Sequence, residues 1–441
     1  MQRHKQGDEK FNSFLSEKVV AVAGDVSLHN FGIKDQTLLE KMLEDIEIIV
    51  HSAATTRWDE RFDIAMSTNT MGAYNTLNFA KMCPRIQVFL HVSTAYVCGE
   101  EKGLKPEEPF QMGQTLKGSL KLDINLEKKL IEQKLSELHT QNANEETITS
   151  IMKELGATRA NLHGWPNVYV FTKAMGEMLV TNMKGNIPLI ITRPTSIIST
   201  HSKPFPGWIE RAGTIDFVLV EYFKGARTSF VGNPKVTIDL TEDWKFMSSS
   251  WFDHRFAITS YGSGSLLAFE FSGSQMVQIP ADMVINSMII ALLIHSMSNP
   301  SNNLIYHIGT SLRNPIKLSD IQDLMHLYNN TKNPWLKNYE KFGAFYEKFT
   351  FNPNYTEDHE LLQRKGAKRS RLKRIINIYR TYLCFEGIFD DKNTEKLRMA
   401  IKDVGSVDKE FNLDPKSIDW KDYLMNVHFP GLVKYTIQPK M

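Results

Sequence analysis

A chain of 441 residues has room for two domains, and 42% apolar with 23% charged residues is the balance of a folded chain, not a disordered one. A net charge of +2 gives no electrostatic reason to expect nucleic acid. Three cysteines (Cys83, Cys98, Cys384) supply neither a disulfide framework nor metal-ligand spacing, which is the usage of a reducing compartment.

The polar N-terminus, MQRHKQGDEKFNSFLSEK, lacks the apolar core of a signal peptide. EKVVAVAGDVS (17–27) reads as a short strand ending at Gly24-Asp25, and DQTLLEKMLEDI (35–46) as a helix. IEIIVHSAATT (46–56) is a second strand with small residues at its exit, NTMGAYNTLNFAKMC (69–83) a helix, and IQVFLHVSTAYVCGE (86–100) a third strand. Residues 120–156 read as a charged helical insertion, broken around Asn142 to Asn144, whose charges need only be a solvated face. VYVFTKAMGEMLVTNM (168–183) is again helical, and IPLIITRPTSII (187–198) is a fourth strand. Near-continuous apolar strands alternating with helices predict a parallel α/β sheet covered on both faces. Ligands on such sheets sit outside the carboxyl ends of the strands. Asp25, Ala53-Ala54, Ser93-Thr94 and Arg193-Pro194 all fall at those ends.

Two features break the pattern. A nucleotide-binding sheet opens with a strand, a glycine-rich turn and a helix whose N-terminus takes a pyrophosphate. No G-x-G-x-x-G or G-x-x-G-x-x-G precedes Val19, so the chain reads as starting inside the domain. The Ser/Gly/Phe-rich stretch 241–278 has no sustained period. It reads as an insert of the kind a translated intron would give, or as a long loop. Beyond it, MVINSMIIALLIHSM from Met283 is interrupted by Asn286, Ser287 and His295 and falls short of the roughly 18–20 residues that span a bilayer. It is expected to be a buried helix, with any membrane contact peripheral. The basic run RKGAKRSRLKR (364–374) is either a solvated helix face or an attractor for anionic headgroups or coenzyme-A phosphates. Trp420, Tyr423 and Phe429 are spaced to pack on a core.

The chemistry is carried by GWPNVYVFTKAMGE (164–177), where Tyr169 and Lys173 share a helix face just after a turn. Hydride transfer to a carbonyl builds charge on oxygen, and a phenol whose pKa of about 10 is lowered by a neighbouring ammonium can supply the proton. A hydroxyl from Thr94 or Ser93 can add a second hydrogen bond. The Y-x-x-x-K spacing recurs at Tyr328 and Lys332 in a polar stretch, where a surface role is expected. Asp25 suits either an adenine amino group or a turn, and His51 is expected to be a packed strand histidine.

These residues resemble the plant-type alcohol-forming fatty acyl-CoA reductases, a branch of the extended short-chain dehydrogenase/reductase superfamily. The matching segments are GDVS, AATTRWDERFD, NTMGAYNTLNFAKMC, LHVSTAYVCGE, GWPNVYVFTKAMGEMLV, IITRPT, PFPGWIE and IPADMV, with a C-terminal tail, GIFDDKNTEKLR to SIDWKDYLMNVHFPGLVKY. The resemblance implies a Rossmann-like doubly wound domain (1–315, with 241–278 inserted) and a helical C-terminal domain (316–441). It implies NADPH-dependent reduction of a long-chain fatty acyl-CoA to a primary alcohol through a bound aldehyde, without a metal. By motif, Tyr169 is the proton donor, Lys173 holds the nicotinamide ribose and tunes Tyr169, and Thr94 orients the carbonyl oxygen. Asp25, Val26, Ala53, Ala54, Ser93, Lys173, Arg193, Pro194 and Thr195 would line the cofactor. Relatives of this kind imply the cytosolic face of the endoplasmic reticulum, or alternatively a plastid. Without the glycine-rich turn the alternative is a catalytically impaired relative serving at most as a binding module.

Overall fold

The computed structural model describes residues 16–118, 121–210, 278–298, 304–332, 387–402 and 410–437, with isolated positions at 212, 216, 219, 220, 223, 275, 276 and 407. Strands β1 (Ile48–His51), β2 (Val88–Val92), β4 (Leu189–Pro194) and β8 (Leu304–Ile308) pair in the order β1-β2-β4-β8, every pair parallel. The register sets His51 beside His91, Val92 beside Thr192 and Pro194 beside Ile308, so the strand exits form one edge. Short ladders complete the pairing: β3 (Gly103–Lys105) with β10 (Gly387–Phe389), β5 (Ser196–Ile198) with β7 (Gln278–Pro280), and β6 (Gln275–Met276) with β9 (Ile316–Lys317).

Helix α1 (Gln36–Asp45) is capped by Asp35, whose carboxylate accepts from the Leu38 amide. Helix α2 (62–82), which widens to a π-turn over Met66–Met71, and helix α5 (Val168–Met183) cover one sheet face. There Ala73, Leu77, Ala80 and Val180 bury Phe89, Leu189, Ile191 and Ile305. Helix α6 (Ala281–Ser298) covers β2 and β4 on the other face, with Met283, Ile290 and Ala291 joining Leu90 and Ile190 in the main core. The expected buried helix is buried on one face only, since Ile285, Ile289 and Leu293 are 52%, 41% and 49% exposed, and among the described residues no helix is long and apolar enough to cross a membrane.

The strand expected at 17–27 does not form. Residues 16–18 make a helical turn, 19–25 join no strand, and Val19 and Val20 are exposed. A strand exists only by its neighbours, and among the described residues the sheet ends at β1, where Ile48 and Val50 are each 44% exposed. The helices expected at 120–156 form, the second running on to His163: α3 (Ile124–Thr140) and α4 (Glu145–His163) flank Asn142 at φ +53° and the cap Asn144. Their charges are not all solvated. Glu127 is 1% exposed and accepts from Arg159 Nε at 2.8 Å. Helix α4 ends at Gly164, whose φ of +96° is the left-handed cap glycine provides without strain.

The stretch 241–278, expected as an insert, lies mostly outside the described residues. Gln275, Met276 and Gln278 pair in the ladders, and Gln278 sits opposite Ser196; residues 241–274 lie outside the described residues, as does the basic run 364–374. Tyr328, expected at the surface, is 3% exposed. Helix α7 (Leu318–Thr331) presents Ile321, Met325 and Tyr328 at i, i+4 and i+7, and Tyr328 packs on Phe223 (5.1 Å) and Phe429 (5.4 Å). Helix α8 (Lys392–Lys402) lies on β8 and α6. The C-terminal helix α9 (420–437) buries Trp420, Tyr423 and Phe429, as their spacing predicts.

Candidate active site

Helix α5 starts where Asn167 accepts from the Val170 amide, which puts Tyr169 in the first turn and Lys173 one turn later. Every side chain from Val168 to Val180 is buried. Two bonds set this helix against the β2 exit. Lys173 Nζ donates to the Val92 carbonyl at 2.6 Å, and Trp165 Nε1 donates to the Val97 carbonyl at 2.8 Å. Tyr169 stands four residues from each anchor, and Thr94 lies between the two acceptors. Thr94 caps the turn Ala95–Cys98, on which α5 packs, and accepts from the Tyr96 amide at 3.4 Å. Ser93, one residue earlier, has a buried hydroxyl without a hydrogen-bond partner among the described residues. Phenol helix, ammonium and hydroxyl turn are therefore brought to one strand exit.

Burial disfavours the charged amine and lowers Lys173 to about 8, against the opposing pull of Glu177. Glu177 is itself committed to Arg193, whose Nε and Nη2 donate to its two oxygens at 3.0 and 2.6 Å. Next to the lysine, His51 and His91 stack with their Nδ1 atoms 2.9 Å apart. Burial, then the Lys173 charge, hold His51 down to about 3 and His91 well below its ordinary value. Both are neutral at any working pH, as expected of packed strand histidines. Lys173 is thus a desolvated ammonium with two neutral rings beside it, an arrangement that favours negative charge developing on a nearby phenol.

The other expected site residues divide into two groups. Thr195 donates its amide to the Ile308 carbonyl and keeps a buried hydroxyl without a partner among the described residues, as Ser93 does at the β2 exit. Ala53 is exposed and Ala54 half-buried just past β1, both leaving backbone accessible. Asn69, which no pattern in the sequence singles out, holds this loop: the π-turn aims its amide at the Thr55 carbonyl and its oxygen at the Thr55 amide, both at 2.9 Å, and it also donates to Thr172. Asp25 takes the turn role, accepting from Ser27 N at 2.8 Å, and this bond lowers its carboxyl. Val26 is anchored through its carbonyl to Asn75. The Arg193 guanidinium faces Glu177, the Glu108 carbonyl and His307, so only the backbone of Arg193 and Pro194 is left to line a ligand.

A second polar cluster joins the segment after β5 to α9. Ser199 Oγ lies 3.0 Å from both His428 Nδ1 and Tyr423 Oη, Tyr423 donates to the Ser199 carbonyl at 2.6 Å, and His428 Nε2 lies 2.9 Å from Asp216 Oδ1. Serine, histidine and aspartate have the order of a nucleophilic triad, yet all are at most 1% exposed and the hydroxyl is already shared with a phenol. This is a clasp. It is tightened by Asp282, which accepts from the amides of His201, Ser202 and Lys203.

The edge suits a nicotinamide cofactor on its own chemistry: orphaned buried hydroxyls at Ser93 and Thr195, and a lysine with donors beyond its one backbone bond. Comparison with known proteins agrees. An NAD-binding family model described as male sterility protein matches residues 1–243, and a second of the same description, the Sterile model, matches 362–438. A protein of Arabidopsis thaliana described as a probable fatty acyl-CoA reductase is 42% identical over 98% of this chain and 85% of its own length. Another from that plant is 40% identical over 99% and 86%, and the alcohol-forming fatty acyl-CoA reductase of Simmondsia chinensis is 40% identical over 97% and 84%. The terminal reductase domain of the myxalamid pathway shares the fold, with a TM-score of 0.52 at 13% identity over 99% of this chain and 83% of that one. With a parallel sheet, flanking helices and these relatives, the chain belongs to the fatty acyl-CoA reductase family of oxidoreductases.

Proposed function

We propose that the chain reduces a long-chain fatty acyl-CoA to the primary alcohol with NADPH, and that Tyr169 supplies the proton at the reacting oxygen. The observation that carries this reading is the pair of bonds from Trp165 and Lys173 to the carbonyls on either side of Thr94, which hold the Tyr169 turn over the β2 exit. The cofactor, when bound, supplies hydride. Tyr169 donates its phenolic proton to the oxygen on which charge builds, and Thr94 hydrogen-bonds the same oxygen. Lys173, desolvated and cationic below about pH 8, stabilises the phenolate left behind and offers its free donors to the ribose. Thioester to alcohol takes two such deliveries, with the thiol of coenzyme A released between them. Ser93 and Thr195 offer the ligand their unpaired hydroxyls. The alcohol-forming relative from Simmondsia chinensis supports the product.

The test is NADPH oxidation by the purified chain with a long-chain acyl-CoA, beside Tyr169→Phe. The expected loss is about a thousandfold, the size of a general-acid contribution, with NADPH binding retained. Equal rates in the two proteins would remove Tyr169 from the chemistry. A second reading, a binding module without turnover, is favoured by residues 19–25, which add no strand beside β1. It predicts acyl-CoA binding with no NADPH consumption. We further propose the cytosolic face of the endoplasmic reticulum as the location, tested by imaging the tagged full-length chain; a plastid signal would overturn it.

A further inference from the structure

Trp165 sits between the glycine turn and the Tyr169 helix, and nothing in the proton-transfer chemistry uses it. It is the largest fully buried side chain of the described residues, at 0% exposure. Its ring packs on Phe110 (6.1 Å) and Phe171 (5.4 Å), so apolar contact alone would justify an aromatic residue there. A phenylalanine would serve that purpose. The indole adds one donor, and that donor meets the Val97 carbonyl, inside the four-residue turn that Thr94 caps. Lys173 makes the matching bond to Val92 on the other side of Thr94. Two bonds of different chemistry thus tie the segments before and after Tyr169 to the segments before and after Thr94.

We propose that Trp165 is a positioning residue, fixing the separation of the Thr94 hydroxyl from the Tyr169 phenol. The inference rests on the catalytic reading above, because the separation matters only if both groups meet one oxygen. A bond at one end alone would let the turn pivot about Val92. With both ends held, Thr94 is clamped, and reacting groups misplaced by about an ångström lose on the order of a hundredfold in rate.

Trp165→Phe tests this, because it keeps a ring in the cavity and removes only the N–H and part of the volume. Phe110→Leu serves as control, loosening the same aromatic cluster while keeping the indole bond. In Trp165→Phe, kcat is expected to fall about ten- to a hundredfold, with the KM for acyl-CoA and the Kd for NADPH unchanged. Placed on Thr94→Val, the same substitution is expected to cost no more than about threefold, since the group it positions is gone. An equal loss in both backgrounds would overturn the proposal. Amide exchange gives a reading without turnover: protection at Val97 and Gly99 is expected to drop about tenfold in Trp165→Phe and not in Phe110→Leu. Unchanged exchange in that turn would also overturn it. If Tyr169→Phe proves fully active, the catalytic reading falls by itself, while the exchange result still decides whether Trp165 holds the turn.

Discussion

Around Lys173 and around His428 the protein buries polar groups equally deeply, but it completes them differently. In the clasp, the Ser199 hydroxyl has two partners, Tyr423 has two, both His428 nitrogens are engaged, and only Asp216 Oδ2 lacks a partner among the described residues. At the β2 exit, the Ser93 hydroxyl, the Thr195 hydroxyl and one nitrogen each of His51 and His91 have none among the described residues, and a lysine is held partly against its charge. Each such group costs about 1–3 kcal/mol in a fold that ends there. The β2 exit leaves more such groups than the clasp, and under the proposed function they are the ones a ligand would complete. Chemistry alone does not separate the two regions, since the clasp holds the more nucleophile-like trio.

The largest expected effect breaks the clasp without touching the site. Gly207 and Gly431 meet backbone to backbone, and a Cβ on Gly431 would fall 2.1 Å from the Gly207 oxygen. Gly207 also lies at φ +76°, so neither loop nor helix can yield easily. Gly431→Ala is therefore expected to lower stability by about 3 kcal/mol or more, read as a shift of the urea midpoint. Turnover per folded molecule should stay within about twofold. Loss of activity at unchanged stability would mean that the clasp is part of the site.

Much of this division was legible in the residues themselves. The parallel sheet followed from apolar runs at 46–51, 86–92 and 187–194, because burial on both faces leaves no polar alternation. Thr94 was visible at a strand end and Tyr169 with Lys173 on one helix face, which is where the structure has them. The strand at 17–27 was misread because apolar composition reports the wish for burial and not the presence of a neighbour. Tyr328 was misread for the converse reason: its local sequence is polar, but Phe223 and Phe429, far away in the chain, cover it. Asn69, Trp165 and the His428 clasp depend on contacts across large sequence separations, so no local period marks them.

Lys173→Met reverses the sign expected of the clasp variant. The lysine's folded value is depressed to about 8, so its charge opposes folding at neutral pH. At about 1.4 kcal/mol per pKa unit, and after loss of the Val92 bond, the methionine variant should be more stable by roughly 2 kcal/mol at pH 7. Activity should meanwhile fall at least about a hundredfold. The pH dependence gives the sharper check. Between pH 8 and 10.5 the unfolded parent still holds a proton that the folded parent has released, so parent stability rises with pH there. In Lys173→Met that rise should vanish. Identical denaturation profiles across the window would show that the amine is not desolvated.

Glu107 probes the boundary between the two regions, because its hydrogen bonds are made and its charge is not matched. It accepts from the amides of His307 and Asn393 and from the Thr394 hydroxyl, fixing α8 on β8. Burial, above all, raises its carboxyl to about 7, and Asp390 and Asp391 push the same way while the two amides pull it down. A carboxyl raised in the folded state holds its proton there after the unfolded chain has lost it. Stability should therefore fall as pH rises from about 4.5 to about 7, by up to roughly 3 kcal/mol from this group. Glu107→Gln carries no such charge, so the difference between parent and variant should change across that window and be flat above pH 8. A constant difference from pH 5 to 8 would place Glu107 with His428, as a completed structural group. A changing one would show that hydrogen bonds alone do not complete a buried charge, which is the condition in which the fold also leaves Lys173.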